Sequence, residues 1–274
     1  MNEKSLFYDS AEERSSAIQE LQELWHYRDL LQLLISNSIK TRYKRSVLGV
    51  LWTLLNPLLT TIVLTVALSQ LFKFQVANYP VYLLSGLIAW TFFSQTITDI
   101  MGTVVWGSNL VKRIYVPRTI FALSVVGNGL INIALSLIPL VVIMMFVGQP
   151  LHWTLLLLPF AVVILAMFAT GLALLLATLA VYFVDLVEMI KILLTAWFYL
   201  TPIIYPMDVV PPKFAWMIYL NPMSYLVEVF RSLIYNGVLP DWRYVLLSVG
   251  MSVVLLLAGW IVFTGKADEF AYRI

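Results

Sequence analysis

The residues best suited to chemistry are four cations within six positions: Lys40, Arg42, Lys44 and Arg45. They lie directly before an uncharged run that continues to Phe72. A basic cluster next to a long apolar run marks the cytoplasmic end of a membrane span. Arginine also offers paired donors to phosphate oxygens, whereas lysine acts as a point charge. Two interpretations stay open: the cluster only anchors the topology, or it also binds a phosphate group at the membrane surface.

A second pair of ionisable residues, Glu228 and Arg231, follows a segment rich in proline. The prolines are Pro202, Pro206, Pro211, Pro212 and Pro222. The segment is too interrupted by proline to span a membrane and too apolar for a free external loop. We therefore predict two short helices that enter the outer leaflet beside a cavity, near Pro212–Leu220 and Pro222–Tyr235. Glu228 and Arg231 are three residues apart, close enough to pair on a helix, either at the surface or shielded from water.

Several aromatic residues fall within predicted membrane spans rather than at their ends, and four of them are of interest: Trp90, Phe93, Trp197 and Tyr199. Tryptophan and tyrosine normally collect at the membrane interfaces. Aromatic faces also stack on sugar rings through apolar C–H contacts, so these residues are candidates for lining a channel. Ordinary helix packing is the alternative interpretation for each of them.

The composition is that of a membrane protein, because 61% of the 274 residues are hydrophobic and 12% are charged. Soluble domains contain about twice that fraction of charged residues. The chain has no cysteine and 2 histidines, which excludes disulfides and thiolate chemistry and argues against a multi-histidine metal site. It contains no GxxxxGK[ST] loop for ATP and no HExxH or GxSxG motif. Nothing in the sequence indicates an enzyme or a cofactor bound to this chain.

The apolar runs predict an all-α integral membrane protein with six transmembrane helices of about 20 residues each. The predicted spans are Val47–Phe72, Val81–Met101, two crossings within the charge-free run Thr119–Val184, Leu186–Tyr205 and Tyr244–Phe263. The predicted turn between the third and fourth spans is Gly148-Gln149-Pro150. Small residues on one face of the fourth span predict close helix packing; they are Ala166, Ala169, Ala173, Ala177 and Ala180.

Four regions follow from this pattern. Residues 1–17 are predicted to be a polar cytoplasmic tail, and residues 18–46 an amphipathic interfacial helix with the basic cluster. Residues 47–265 form the six-span domain, and residues 266–274 form a second cytoplasmic tail. The apolar side of the N-terminal helix includes Leu21, Leu24, Trp25, Leu31, Ile35 and Ile39. Such a helix lies in the membrane interface, and the alternative is a soluble helix packed on a partner.

Lysine and arginine are distributed unevenly between the two sides of this topology. The side of the N-terminus has 13 of the 17 cations, and the other side has 4, which are Lys73, Lys213, Arg231 and Arg243. Cytoplasmic loops are the ones enriched in lysine and arginine. The bias therefore predicts that both termini lie in the cytoplasm.

Four stretches of the chain are KTRYKRSVLGVLWTLLNPLL, NLVKRIYVPRTIFAL, YLTPIIYP and LNPMSYLVEVFRSLIYNG. In this order they resemble the type-2 ABC exporter permeases, most of all those that export polysaccharides such as O-antigen, teichoic acid or capsule. The resemblance covers nearly the whole chain from about Leu21. It implies a homodimer of six-span permeases in the bacterial cytoplasmic (inner) membrane, working with two copies of a separate ATPase. ATP and Mg would bind to that partner.

The resemblance also implies roles by position. Leu21–Arg45 resembles a cytoplasmic gate helix, and the first and fifth spans are expected to line the channel of the dimer. Asn109–Arg118 resembles the coupling helix that binds the ATPase, with Lys112, Arg113, Ile114, Tyr115, Pro117 and Arg118. Pro212–Tyr235 resembles the re-entrant helices of an external gate, with Pro212, Asn221, Pro222, Tyr225, Glu228 and Arg231.

The substrate implied by the resemblance is a lipid-linked glycan, whose phosphate or pyrophosphate would lie at the level of the basic cluster. Export of a drug or small lipid by a permease of the same type is a second interpretation. A third, of another class, is a membrane enzyme acting on polyprenyl-phosphate sugars. That enzyme would need acidic or histidine residues converging at the membrane surface, and the sequence offers few. Membrane lipid is an expected partner and nucleic acid is not.

Overall fold

The computed structural model describes residues 17–44, 48–49, 51–72, 76–107 and 117–273, and every regular element in these ranges is a helix. The α-helices are α1 (Ala17–His26), α2 (Arg28–Tyr43), α3 (Leu51–Phe72), α4 (Tyr79–Trp106), α5 (Thr119–Val147), α6 (Leu158–Tyr182), α7 (Leu186–Leu200), α8 (Ala215–Tyr219), α9 (Pro222–Arg231) and α10 (Trp242–Arg273). A π-helical turn, Ser232–Asn236, extends α9. The predicted all-α class is confirmed.

Within the described ranges, four helical segments are long and apolar enough to cross a membrane: Tyr79–Trp106, Thr119–Val147, Trp153–Tyr182 and Trp242–Ala267. They coincide with the second, third, fourth and sixth predicted spans. The first predicted span corresponds to α3, which has a shorter apolar stretch, Leu51–Ala67. The fifth corresponds to α7, whose 15 residues extend about 22 Å at ~1.5 Å per residue.

The fifth predicted span ends too late, because α7 stops at Leu200 rather than at Tyr205. Thr201 has an extended backbone, with φ −94° and ψ 132°. It precedes Pro202, and the ring of a proline disfavours the helical conformation of the residue before it. The next segment, 201–206, is a turn that contacts other helices through its backbone carbonyls.

The N-terminal region also differs from its prediction, since two helices replace the single amphipathic helix. Tyr27 interrupts them, with φ −90° and ψ 17°. The helix α2 packs along α5, where Ile35 lies so close to Gly127 that an added Cβ there would be 2.5 Å from Ile35 Cδ1. At the other end of the chain, residues 266–273 continue α10 instead of forming a separate tail.

The closest helix packing involves α6 and α10 and is made at Gly171. Gly171 is two residues from Ala169 and from Ala173, so it lies on the other side of α6 from the small face predicted for the fourth span. Ala169, Ala173, Ala177 and Ala180 are fully buried. A Cβ on Gly171 would lie 2.4 Å from the backbone carbon of Leu255, and one on Gly259 would lie 2.2 Å from the Gly171 carbonyl oxygen. Only residues without a side chain allow two helix backbones to approach this closely.

The turn after α5 is also confirmed. Gly148 follows the last residue of that helix in the left-handed conformation, at φ +71°, which glycine adopts without steric cost. Together, α4, α5, α6 and α10 form the main bundle, while α9 packs against α4, α6 and α10 at one end of it.

Candidate functional site

The predicted external gate contains a buried arginine with four partners, which we call the Arg231 cluster. The Nη2 atom of Arg231 donates to the carbonyl oxygens of Pro202 at 2.8 Å and Ile203 at 3.4 Å. Its guanidinium carbon lies 3.8 Å from the centre of the Tyr82 ring, and Nη1 is 3.6 Å from Glu228 Oε2. The cluster joins α9, the turn after α7 and the start of α4 through one side chain.

The Glu228–Arg231 pair that the spacing predicted is therefore formed, and Arg231 is shielded from water. The Arg231 side chain is 5% exposed and that of Glu228 is 25% exposed. Burial raises the pKa of the Glu228 carboxyl, and the neighbouring Arg231 opposes that change. A buried cation needs its partners, because a guanidinium without them would keep a large desolvation penalty.

Asn221 makes four hydrogen bonds at the junction of α7 and α9. Its Oδ1 accepts from Trp197 Nε1 at 2.7 Å and from the Met223 amide at 3.0 Å. Its Nδ2 donates to Thr201 Oγ1 at 2.9 Å and to the Leu200 carbonyl at 3.3 Å. The same side chain thus caps the first turn of α9 and satisfies the end of α7, which fixes the two helices relative to each other.

The remaining gate residues surround this junction. Pro222 is the first residue of α9, where its missing N–H costs nothing, and Pro212 begins a 3-10 turn before α8. Tyr225 donates from its hydroxyl to the Tyr219 carbonyl at 2.6 Å. The two short helices predicted for this region are present, so the six residues assigned to the gate lie in one structural unit.

The turn between α5 and α6 packs on the same unit. Gln149 accepts from Asn78 Nδ2 at 2.5 Å and donates to the Tyr235 carbonyl at 2.9 Å. The Tyr235 hydroxyl in turn donates to the Ala77 carbonyl at 2.6 Å. The loops that were predicted to be external therefore meet at one end of the bundle, where one hydrogen bond between side chains and two from side chains to backbone carbonyls join them.

The four aromatic candidates do not share one environment. Phe93 is fully buried and Trp90 is 7% exposed. Their rings are 5.4 Å apart, and Trp197 lies 5.2 Å from Phe93 and 6.3 Å from Trp90. These three pack α4 against α7 inside one chain, which is the helix-packing alternative. Tyr199 differs, because 61% of it is exposed on the free side of α7.

The basic cluster is described only in part. Lys40 and Lys44 are exposed at the C-terminal end of α2. The backbone of Arg42 is helical, while its side chain and the whole of Arg45 lie outside the described residues. Cations at a helix C-terminus interact favourably with the helix dipole, so these lysines stabilise α2 whatever else they bind.

Most of the predicted coupling segment lies outside the described residues, including Lys112, Arg113, Ile114 and Tyr115. Its last two residues, Pro117 and Arg118, directly precede α5. The Arg118 guanidinium lies 5.5 Å from the centre of the Phe270 ring on α10. The segment thus ends against residues 266–273 of α10, the part of that helix that was predicted to be a cytoplasmic tail.

Three residues that the sequence reasoning missed stabilise these sites. Glu20 is 4% exposed, and its Oε1 accepts from Thr119 Oγ1 at 2.8 Å, which ties α1 to the first residue of α5. The ring of Tyr82 packs against the guanidinium of Arg231. Gly86 leaves room for the cluster, because a Cβ there would be 3.1 Å from Ile203 Cγ2. For Glu20, the only indication in the sequence was that an acidic residue occurs on a helix predicted to lie in the membrane interface.

Comparison with known proteins agrees with this arrangement. Residues 29–235 match the family model described as ABC-2 type transporter. The chain is 34% identical over 256 residues to an O-antigen export system permease protein RfbA of Myxococcus xanthus, covering 93% of this chain and 98% of the relative. It is 30% identical over 247 residues to a protein of the same name from Klebsiella pneumoniae, covering 89% and 94%.

A more distant relative is the polysialic acid transport protein KpsM of Escherichia coli, 24% identical over 223 residues, covering 77% of this chain and 83% of the relative. The resemblance inferred from the four stretches is therefore confirmed by an independent comparison. The match to the family model extends from α2 to the π-helical turn after α9 and so includes the Arg231 cluster. By this match and by its end-to-end similarity to two permeases, the chain belongs to the ABC-2 type transporter family.

Proposed function

We propose that this chain is the membrane-spanning subunit of an ATP-driven exporter that moves a lipid-linked polysaccharide out of the bacterial cytoplasm. The observation that supports this most is the 98% coverage of the O-antigen export permease of Myxococcus xanthus at 34% identity. A second relative, named for polysialic acid transport, handles a different polymer. Both relatives are named for the transport of a glycan, so we propose a glycan as the class of substrate and do not name one polymer.

The exporter is proposed to be a homodimer with two copies of an ABC ATPase, in the inner membrane, with both termini cytoplasmic. In this proposal α3 and α7 complete the count of six crossings. One face of α7 packs on the bundle through Val187, Ile190 and Leu194. The opposite face is open, and Met189, Ile192 and Tyr199 are each more than half exposed. A second copy facing α7 would cover it and place Tyr199 at the channel.

Residues 109–118 are proposed to bind the ATPase, since they follow α4 at the end of the bundle where α1, α5 and α10 meet. Glu20 and Thr119 join α1 to α5 there, and the Tyr182 hydroxyl donates to Glu269, which joins α6 to α10. A displacement of the segment would therefore be transmitted to four helices at once. That is the mechanical property a coupling element requires.

The unit formed by α8, α9 and the Arg231 cluster is proposed to be the external gate, dipping part-way into the outer leaflet. Asn221 and Arg231 tie α9 to the end of α7 and to the turn that follows it, so α9 is proposed to move together with these segments. A cysteine at Tyr225 is expected to change its reactivity when ATP is trapped on the ATPase. A thiol there with constant, free reactivity would argue against a gate.

The basic cluster is proposed to hold the phosphate of the lipid carrier at the inner surface. Anions bind most readily at helix N-termini, whereas this cluster begins in the last turn of α2, at its C-terminus. The affinity would therefore have to come from the cations themselves, and above all from the paired donors of Arg42 and Arg45.

Two alternative functions are compatible with family membership or with the membrane location. Export of a drug or small lipid would use the same fold, but the relatives are named for O-antigen and polysialic acid. A membrane enzyme on polyprenyl-phosphate sugars would need converging acids or histidines. Among the described residues, no three His, Asp or Glu side chains lie close enough to hold a metal ion.

Deletion of the gene in its native host tests the proposal. If the chain exports the polymer, deletion removes the polymer from the cell surface and leaves it on its lipid carrier inside the cell. Expression of the wild-type chain restores the surface polymer. A deletion strain with normal surface polymer would overturn the assignment.

A further inference from the structure

A polar cleft runs along the membrane bundle between α3, α4 and α5. Its volume is about 390 Å³, within the ~300–1,000 Å³ of small-molecule sites. The polar side chains that line it or its continuation towards Asp99 are Thr53, Asn56, Thr60, Thr91, Gln95, Thr96, Asn128, Asn132 and Ser136. All nine are neutral hydroxyls or amides, and they lie in a chain that is 61% hydrophobic.

The regular spacing of these polar residues places them along one face of α4 and one face of α5. On α4, Thr91, Gln95 and Asp99 are four residues apart, so they follow one side of the helix. On α5, Asn128, Asn132 and Ser136 repeat the same spacing on the facing side. The central part of α4 is otherwise buried, with Ile88, Phe92 and Phe93 all under 5% exposed, while Thr91 and Gln95 are exposed.

Polar groups at this depth need a polar partner. Amides and hydroxyls without hydrogen bonds are costly in hydrocarbon, and polar positions within membrane bundles mark cavities and substrate paths. Asn128 Oδ1 is buried and has no hydrogen-bond partner among the described residues. The cleft therefore has acceptors and donors to offer, and lipid tails would leave them unsatisfied.

The chemistry of the cleft selects for neutral ligands with many hydroxyl groups. Amide side chains both donate and accept, as do hydroxyls, which matches a ring bearing several hydroxyls. Apolar surface is present beside them, from Ile88 and from Trp52, which is 51% exposed at the edge of the cleft. Asp99, at the cytoplasmic end, is the one charged residue in the lining formed by the part of the chain that the structure describes.

The position of the cleft connects it to the N-terminal helices. Gly127, next to Asn128, is the residue against which Ile35 of α2 packs. The cleft thus begins beside α2, ahead of the basic cluster, and extends along the cytoplasmic half of α4 towards its middle. A glycan whose phosphate is held at the end of α2 would have its sugars within reach of this surface.

From these observations we propose that the cleft between α3, α4 and α5 is a binding site for the hydroxyl groups of the transported saccharide. This inference rests on the proposed export function and adds to it a location and a set of contacts. The site binds sugar rings through Gln95, Asn128 and Asn132 and places an apolar ring face against Trp52. Among the described residues, its lining contains no cation, so the phosphate is bound elsewhere.

The absence of cysteine from the chain provides a direct test. Gln95→Cys puts the only thiol of the chain into the cleft, and Ile138→Cys, on the outward side of α5 and 51% exposed, is the matched control. Inside-out membrane vesicles containing the chain with its ATPase are treated with a charged, membrane-impermeant thiol reagent. One set comes from cells that make the polymer, and the other from cells blocked before the first sugar transfer.

We expect the Gln95→Cys thiol to react in polymer-free vesicles and to react about tenfold more slowly with polymer, the factor for ligand at about ten times its Kd. The Ile138→Cys thiol should stay unreactive in both. Equal reaction of Gln95→Cys in both sets would show a wet cleft without sugar, and no reaction in either would show a cleft covered by lipid or protein. Either result overturns the inference.

Thr91→Cys repeats the test one helical turn away, in case Gln95→Cys does not assemble. A third variant, Thr98→Val, changes a polar residue of α4 whose hydroxyl donates to the Ser94 carbonyl and does not line the cleft, and it should leave protection of the Thr91→Cys thiol unchanged. Surface polymer in the deletion and wild-type strains is measured alongside. Normal export by the wild type with unprotected cleft thiols would remove this site and leave the export function standing.

Discussion

Replacing Arg231 with methionine should be strongly destabilising, because the change removes a buried charge from the middle of its partners. The side chain is 5% exposed, and two carbonyl oxygens, of Pro202 and Ile203, lose their donor. Glu228 keeps a carboxylate without a counter-ion. Breaking a buried pair in this way costs ~3–5 kcal/mol, and we expect about 3 kcal/mol, the lower end, because Glu228 is 25% exposed and retains some hydration.

A double-mutant cycle separates the ion pair from the other contacts. Glu228→Gln removes the charge and keeps the shape, so that single change should cost about 1 kcal/mol. In the double variant Arg231→Met with Glu228→Gln, no unpaired carboxylate remains, and the cost should be less than the sum by ~0.5–3 kcal/mol. Unfolding of the purified chain by SDS in mixed micelles, followed by tryptophan fluorescence, measures each free energy.

Arg243→Met is the matched control for this experiment. Arg243 lies on the exposed start of α10, with its guanidinium 5.7 Å from the Trp242 ring, and exposed substitutions usually change stability by less than ~0.5 kcal/mol. An Arg231→Met chain as stable as the control would refute the reasoning. Strict additivity in the cycle would refute the part that concerns Glu228.

Three further predictions concern the other sites. Acidic residues at Ile114 and Tyr115 should lower ATP-driven export by about 5–150-fold, the usual range of coupling between two sites, with insertion unchanged on membrane blots. Arg42→Lys with Arg45→Lys should lower export and substrate-stimulated ATPase activity about tenfold, because hydrogen bonds to charged groups are worth ~1.5–3 kcal/mol each. Gly171→Val should cost about 3 kcal/mol of stability by overpacking α6 against α10, measured by SDS unfolding.

Each of these three has a control or a contradicting result. Gly250→Ala is the control for the glycine change, because an added Cβ at Gly250 would meet no atom within 4 Å; equal effects at the two glycines would contradict the packing argument. Normal export after the acidic changes would remove the coupling assignment. Wild-type export by the arginine-to-lysine variant would reduce the basic cluster to a topology anchor.

The helices of the main bundle could be predicted because their signal is local. Long runs without charge identify α4, α5, α6 and α10, and a glycine at the left-handed position ends α5 at Val147. The small face of α6 was also visible as a repeat in the sequence. Hydrophobicity and helix-breaking residues act over a few turns, so they are contained in the segment itself.

The end of α7 was predictable in principle, and the prediction was wrong because it counted apolar residues only. Pro202 disfavours the helical conformation at Thr201, which favours an end at Leu200, where the structure has it. The rule is not sufficient alone, because Pro57 and Pro139 lie inside α3 and α5. By contrast, the partners of Arg231 could not be predicted. They include Tyr82 and the carbonyl of Pro202, and neither a ring about 150 residues away in sequence nor a backbone oxygen has a signature in the sequence.

The polar cleft is an intermediate case. The spacing of four on α4 and on α5 is visible in the sequence, so a polar face on each helix could have been predicted. That the two faces oppose each other, with Asn56 and Thr60 of α3 completing the lining, depends on how three helices pack. Helix packing is set by many weak contacts between distant segments, so no single residue in the sequence indicates which helices pack together.

The central claim, that this chain carries a glycan across the membrane with energy from a partner, is tested most directly by reconstitution. The chain and its ATPase are placed in proteoliposomes with the host's lipid-linked polymer labelled on its sugars, and a polymer-specific hydrolase is enclosed in the lumen. With ATP outside, the account predicts that the lumenal enzyme cleaves the labelled polymer, and that the chain without the ATPase gives no cleavage. ATP-independent cleavage, or none with both subunits and ATP present, would contradict it.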